Sequence, residues 1–243
     1  MNKLNKKQAT EFKNEMLEGM NTVKDLVIYD TLNQVKSQMM EIEKPKLNEM
    51  ILFFKEGHLG LIPTGYSEKE IDLTTIPMHF GKRSICEHDK FQRHPIPYML
   101  VKHAIEDKYF FIFRESGSNE LRLIGKKGMA GGHVGIEDYC ENINYVISSG
   151  MYRELEEEIG ITQEMIQSLE LIATIKDNVG INADHLALVY KITIDTNDIK
   201  SEEIGVQSGM WLNKEDILSH FDEFEDWSQQ VIKNYIFKEG VIE

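Results

Sequence analysis

The stretch from Gly131 to Ile161, GGHVGIEDYCENINYVISSGMYRELEEEIGI, constrains the fold of this chain more than any other. Within it Ile143, Val146, Ile147, Met151, Leu155 and Ile159 recur at helical spacing, the signature of one apolar face on an α-helix. Gly160 follows, where a left-handed C-terminal cap is expected. A helix with a single apolar stripe must bury it against another layer. The chain holds material for that layer on both sides: ILFF at 51–54, LGLI at 59–62, IPYMLV at 96–101, YFFIF at 109–113, LIATI at 171–175 and HLALVYKITI at 185–194. These short apolar runs, bounded by turn residues, are expected as strands. The runs at 96–101 and 109–113 lie close enough to form an antiparallel hairpin. Helical pattern returns from Lys214 to the end, so an α/β (α+β) domain is predicted over residues 50–243.

Residues 1–49 differ in kind. Phe12, Met16, Met20, Val23 and Val27 recur at three- and four-residue steps, and Leu32, Val35 and Met39 carry the pattern toward Pro45, which should stop it. One or two amphipathic helices are expected there, as an N-terminal helical extension packed on the body of the protein or on a second copy in a homodimer. The net charge of −14 disfavours general binding to nucleic acid or to an anionic membrane. Two cysteines, Cys86 and Cys140, build neither a disulfide framework nor a four-cysteine zinc site. With no run near the roughly 18 apolar residues of a membrane span, a cytoplasmic protein is expected.

On the helix, Glu154, Glu157 and Glu158 stand at i, i+3 and i+4, so their carboxylates share one patch, while Glu156 points elsewhere. Solvated acidic faces are common. This one carries two costs: like charges at that spacing repel by roughly 0.2–0.5 kcal/mol per pair, and they crowd the unfavourable end of the helix dipole. A bound cation would reverse both. Oxygen-only ligands suit a hard ion, Mg²⁺ or Mn²⁺, which keeps positions for water and substrate phosphates.

RELEEEIG at 153–160, completed by Ile161, resembles the second half of the Nudix box, R-E-apolar-x-E-E-x-G-apolar, at every specified position. The Gly131-Gly132 pair stands where that family's glycine loop enters the helix. The resemblance implies an α/β/α sandwich with a mixed sheet and metal-dependent hydrolysis of nucleoside diphosphate derivatives. The first half of the box departs from the pattern. After five intervening residues beyond Gly132 the count reaches Asp138, but the loop from there to Arg153 is about seven residues longer than the pattern expects. Glu137, Asp138 and Glu141 are candidates for the acid that braces the loop against the arginine. Pro97-Tyr98, GGH at 131–133 and DNVGINADHL at 177–186 are similar to a bacterial branch of MutT-like Nudix phosphoesterases.

The resemblance implies Arg153, Glu154, Glu157 and Glu158 as catalytic residues. It implies a divalent ion, Mg²⁺ or Mn²⁺, held by Glu154, Glu157 and Glu158, with a backbone carbonyl near Gly131 or Gly132 and an acid on a late loop, Glu203, as further ligands. Glu154 is the preferred base toward water, although the carboxylates' roles are interchangeable at this level. Arg153 is expected to act more on the loop than on phosphate. Arg114, Lys126 and Lys127 would supply positive charge for a polyphosphate, and His133 and His185 would meet the substrate or be hydrogen-bonded within the fold. His79, Cys86, His88 and His94 fall within sixteen residues, but their gaps match none of the common zinc templates. They are read as loop or cleft residues, and Trp211 and Trp227 as core. The leading function is hydrolysis of the diphosphate linkage of a nucleoside diphosphate-linked small molecule. The alternative is a nucleotide or sugar-nucleotide binding module without turnover. An isomerase of the family's isoprenoid type has no identifiable cysteine-centred chemistry here.

Overall fold

The structure is a computed structural model and describes residues 48–59, 62–87, 89, 91–115, 123–178, 182–199 and 207–238. In chain order its elements are strands β1 (Met50–Lys55), β2 (Gly65–Ser67) and β3 (Met78–Lys82) and the single-turn helix α1 (Arg83–Cys86). Strands β4 (Gln92–His103), β5 (Lys108–Arg114), β6 (Lys127–Gly128) and β7 (Ala130–Gly131) lead to helix α2 (Ile143–Ile159). Then come β8 (Ile166–Lys176), β9 (His185–Ile194), β10 (Gln207–Asn213) and the short helices α3 (Lys214–Ser219) and α4 (Asp226–Val231).

The sheet runs β10-β5-β4-β9-β8-β2 and is mixed: β4 and β9 are parallel, whereas β5 pairs antiparallel with both β4 and β10. On one edge β4 meets β9 from His94↔His185 to His103↔Ile194. On the other it is shared between β1 at Gln92 and Arg93, β7 at Tyr98 and Met99, and β5 at Val101 and Lys102. Pro95 and Pro97 fall between the residues paired to β1 and β7. The His94 N–H faces the β9 edge, donating to the Asp184 carbonyl at 2.8 Å. The alternating positions 95 and 97 therefore face the side where no ladder runs, and a central strand tolerates two prolines there.

Two apolar layers cover the sheet. On one face Val146, Ile147, Met151, Leu155 and Ile159 of α2 pack on Met99, Val101, Leu186, Leu188 and Ile192. On the other Trp227, Val231, Ile232 and Ile236 pack on Tyr98, Leu100, Ile175, Ala187 and Val189. The alternation along β4 and β9 assigns successive residues to opposite layers, and the result is a helix/sheet/helix sandwich. Helix α2 ends at Gly160, whose φ of +68° is a left-handed cap.

The hairpin of β4 and β5 forms as expected, and the expected strands at 51–54, 171–175 and 185–194 lie within β1, β8 and β9. Of LGLI, Leu59 closes a 3₁₀ turn from Glu56 and Ile62 packs against the α2-side core, while Gly60 and Leu61 lie outside the described residues. The tail from Lys214 is not one helix. A 3₁₀ turn at Phe221–Glu223 separates α3 from α4, and α4 runs into a π turn at Ile232–Ile236. The expected helical extension lies almost wholly outside the described residues. Among the described residues no helix is long and apolar enough to cross a membrane.

Candidate active site

The glycine loop and α2 are joined by Arg153. Its guanidinium donates from Nε to Asp138 Oδ1 at 3.1 Å and from Nη2 to Asp138 Oδ2 at 2.9 Å, a two-point clamp on a buried carboxylate. Nη2 also reaches the His133 carbonyl at 2.9 Å, and Nη1 donates to Glu154 at 2.8 Å and Glu157 at 3.1 Å. Burial opposes the charge on Arg153, but the hydrogen bonds to Asp138 and the charges of Glu154 and Asp138 outweigh it and raise its pKa. Of the three candidate bracing acids, Asp138 makes the closest pair, also accepting from the Gly135 N–H at 2.8 Å; Glu137 stands 3.8 Å away. The extra residues in the loop leave this clamp closed.

The three box glutamates sit differently. Glu158 accepts from the Gly131 N–H at 3.1 Å and lies 3.9 Å from Arg114. Glu154 is packed so closely on Gly132 that any Cβ there would overlap its carboxylate. Glu157 is the most open, its side chain 61% exposed. Part of the repulsion anticipated for this patch is thus relieved by Arg153 and by a loop N–H. Glu154 and Glu158 each contact the Gly131-Gly132 segment, and carboxylate oxygens are the donors that suit a hard divalent ion, although among the described residues the donor atoms that gather at one point are imidazole nitrogens and not these carboxylates.

Arg114 reaches this site, bonded to Gln207 at 2.5 Å, whose own amide donates to the Glu158 carbonyl at 3.4 Å. Lys126 and Lys127 are turned elsewhere: Lys126 donates to the Asp222 carbonyl at 3.0 Å, and Lys127 is paired with Glu223. Both ammonium groups secure the segment before α4. Glu203 lies outside the described residues. Tyr98 is a core tyrosine, its hydroxyl bonded to Glu225 and, at 2.7 Å, to Ser228. Pro97 offers its carbonyl where Gly131 must pass; a Cβ on Gly131 would stand 2.8 Å from it.

His133 belongs to a group that reading along the chain did not assemble. His94, His133 and His185 each offer a ring nitrogen, and these lie within 4.8 Å of one another. His94 is fully buried, and neither of its ring nitrogens makes a hydrogen bond. Burial, with His185 adding to it, holds its pKa well below the ordinary value and keeps the ring neutral. Asp184 Oδ1 stands 2.7 Å from Nδ1 of His185, and Glu87 4.0 Å from Nε2 of His133. The signal was present in GGH and in DNVGINADHL, but only the parallel register His94↔His185 joins it to β4. Of His79, Cys86, His88 and His94, His79 lies tilted against Phe53, Cys86 faces Gly81, and His88 lies outside the described residues.

A mixed sheet between helical layers, with a glycine turn packed on a glutamate-bearing helix, defines the fold class of the Nudix hydrolases. Tm1382, a candidate Nudix hydrolase of known structure, superposes with a TM-score of 0.62 at 18% identity, covering 75% of this chain and 95% of that one. The chain has the Nudix fold. Protein YmaB of Bacillus subtilis (strain 168) is a distant relative, 26% identical over 156 residues that span 62% of this chain and 75% of YmaB. No family model matches the sequence.

Proposed function

We propose that this protein is a metal-dependent hydrolase that cleaves the diphosphate linkage of a nucleoside diphosphate-linked small molecule. The observation that carries the reading is the packing of Glu154 and Glu158 against the Gly131-Gly132 turn, within a sequence that matches the second half of the Nudix box. Glu154, Glu157 and Glu158, with a carbonyl of the turn, would hold Mg²⁺ or Mn²⁺, which supplies Lewis-acid stabilisation of phosphoryl charge when bound. In place of one of these ligand roles, a carboxylate, Glu154 being preferred, would take a proton from attacking water. Arg153 keeps the turn against the helix through Asp138 and the His133 carbonyl, a positioning role. Arg114, held by Gln207 beside Glu158, is the cation best placed to meet a phosphate.

The test is release of phosphate or pyrophosphate across nucleoside triphosphates, dinucleoside polyphosphates, ADP-ribose, NAD and sugar nucleotides, with Mg²⁺ and with Mn²⁺. Metal-dependent turnover of at least one class is expected. Binding of one of these compounds without turnover under either metal would replace the enzyme with a binding module.

A further inference from the structure

Three chain segments that share no local sequence relation deliver imidazoles to one point. His94 comes from the start of β4, His185 from the start of β9, and His133 from the loop after β7. The ring centroids are 5.5 Å apart for His94 and His133, and 5.3 Å apart for each of these with His185. Three imidazoles gathered in a largely buried place need an account. A histidine in a core is ordinarily satisfied by hydrogen bonds, because burying an unmatched polar nitrogen costs about 1–3 kcal/mol. Both nitrogens of His94 are buried without one.

We propose that His94, His133 and His185 form a binding site for one transition-metal ion of the zinc class, held through three imidazole nitrogens with a coordination position left for a non-protein ligand. Nitrogen-only donors select Zn²⁺, Co²⁺ or Ni²⁺ over Mg²⁺ and Mn²⁺, so this site is chemically distinct from the carboxylates of α2. Around one ion at about 2.0–2.1 Å from each nitrogen, tetrahedral geometry sets the nitrogens about 3.4 Å apart. The nitrogens lie within 4.8 Å of one another, so binding one ion would draw the three rings together. Asp184 beside Nδ1 of His185 is the kind of carboxylate partner that orients a metal-bound imidazole and leaves Nε2 for the ion. Glu87 lies 4.0 Å from Nε2 of His133, beyond hydrogen-bond reach, and is bonded to Arg83 at 2.8 Å.

The framework around the three residues is built to hold them. Buried Arg93, next to His94, is paired with Glu56 and donates to the carbonyls of Asp177 at 2.8 Å and His185 at 3.2 Å. Trp227 fixes Asp177 through its indole N–H at 2.8 Å. Both ends of the segment 177–185 are thereby tied to the sheet. An ion here would also pin the loop, because His133 directly follows Gly132, and its carbonyl is held by Arg153. The zinc-class site would thus fix the turn against which Glu154 and Glu158 pack, without itself touching substrate. It stands whether or not the chain hydrolyses a diphosphate.

The experiment uses full-length protein carrying no polyhistidine tag, stripped with a chelator and titrated with Co²⁺ alone. Visible ligand-field absorption saturating at one equivalent, displaced by Zn²⁺ and not by Mg²⁺, is expected. His133→Gln and His185→Gln should lose the band, and Asp184→Asn should weaken binding by roughly 10–100-fold. The double variant Glu157→Gln/Glu158→Gln should keep it. X-ray absorption of the Zn²⁺-loaded wild type should show a first shell rich in imidazole nitrogen, which needs no variant to fold. Absence of the Co²⁺ band, a band unchanged in both histidine variants, or a band lost only in the glutamate variant would overturn the assignment.

Discussion

Glu157 and Glu158 are adjacent in sequence but are held by different partners, and that decides how each substitution should read. Glu157 is mostly exposed and makes one ion pair with Arg153 at 3.1 Å, an interaction worth ~0–1 kcal/mol in such a setting. Glu158 accepts the Gly131 N–H, and a glutamine there still offers an oxygen to it. Glu157→Gln and Glu158→Gln are therefore expected to melt within about 4 °C of wild type while losing most metal-dependent turnover. Turnover unchanged in both would remove these residues from the chemistry. The i, i+3, i+4 spacing was legible in the sequence because a helix fixes it locally. That Arg153 serves as internal counter-charge to Glu154 and Glu157 was not, since a side chain's choice among several acids depends on loop placement.

At the scale of elements, α2 was the most legible part of the chain. Its stripe named Ile143, Val146, Ile147, Met151, Leu155 and Ile159, of which Ile143 at the start is partly buried and the rest are essentially buried, because one period determines one face. The histidine cluster was illegible for the opposite reason. Its members meet through the parallel β4–β9 register, which no local pattern encodes, and GGH and DNVGINADHL read only as separate motifs. The bracing of the lengthened loop lies between these cases: the sequence named three acids, and packing selects Asp138. Arg153→Ala would leave Asp138, with its side chain only 3% exposed, facing one remaining donor, the Gly135 N–H. Breaking a fully buried pair costs about 3–5 kcal/mol, and Arg153 is partly wet, so about 2–3 kcal/mol is expected, or roughly 5–10 °C in Tm. Activity should fall with stability. A variant with wild-type melting and wild-type turnover would show that the loop holds without its clamp.

For the whole molecule, the described fold closes on itself from β1 onward. Among the described residues both core layers are built from residues between Leu52 and Ile236, and the sheet begins with β1 at Met50. The Arg83 N–H is satisfied by the Glu49 carbonyl at 2.8 Å, so a truncation that respects the fold should remove residues 1–47 and no more. Within the removed segment the stripe from Phe12 to Val27 still requires a surface to bury it, because short amphipathic helices gain little stability alone. A second copy is the proposed surface, two-fold closure being the commonest assembly. The truncated chain is therefore expected to fold, to retain metal-dependent turnover, and to scatter light as a monomer, about two-fifths of the mass of the full-length dimer. An unchanged oligomeric state would place the stripe outside any dimer contact. A folded truncation without activity would instead show that the segment completes the site formed by the Gly131-Gly132 turn and α2.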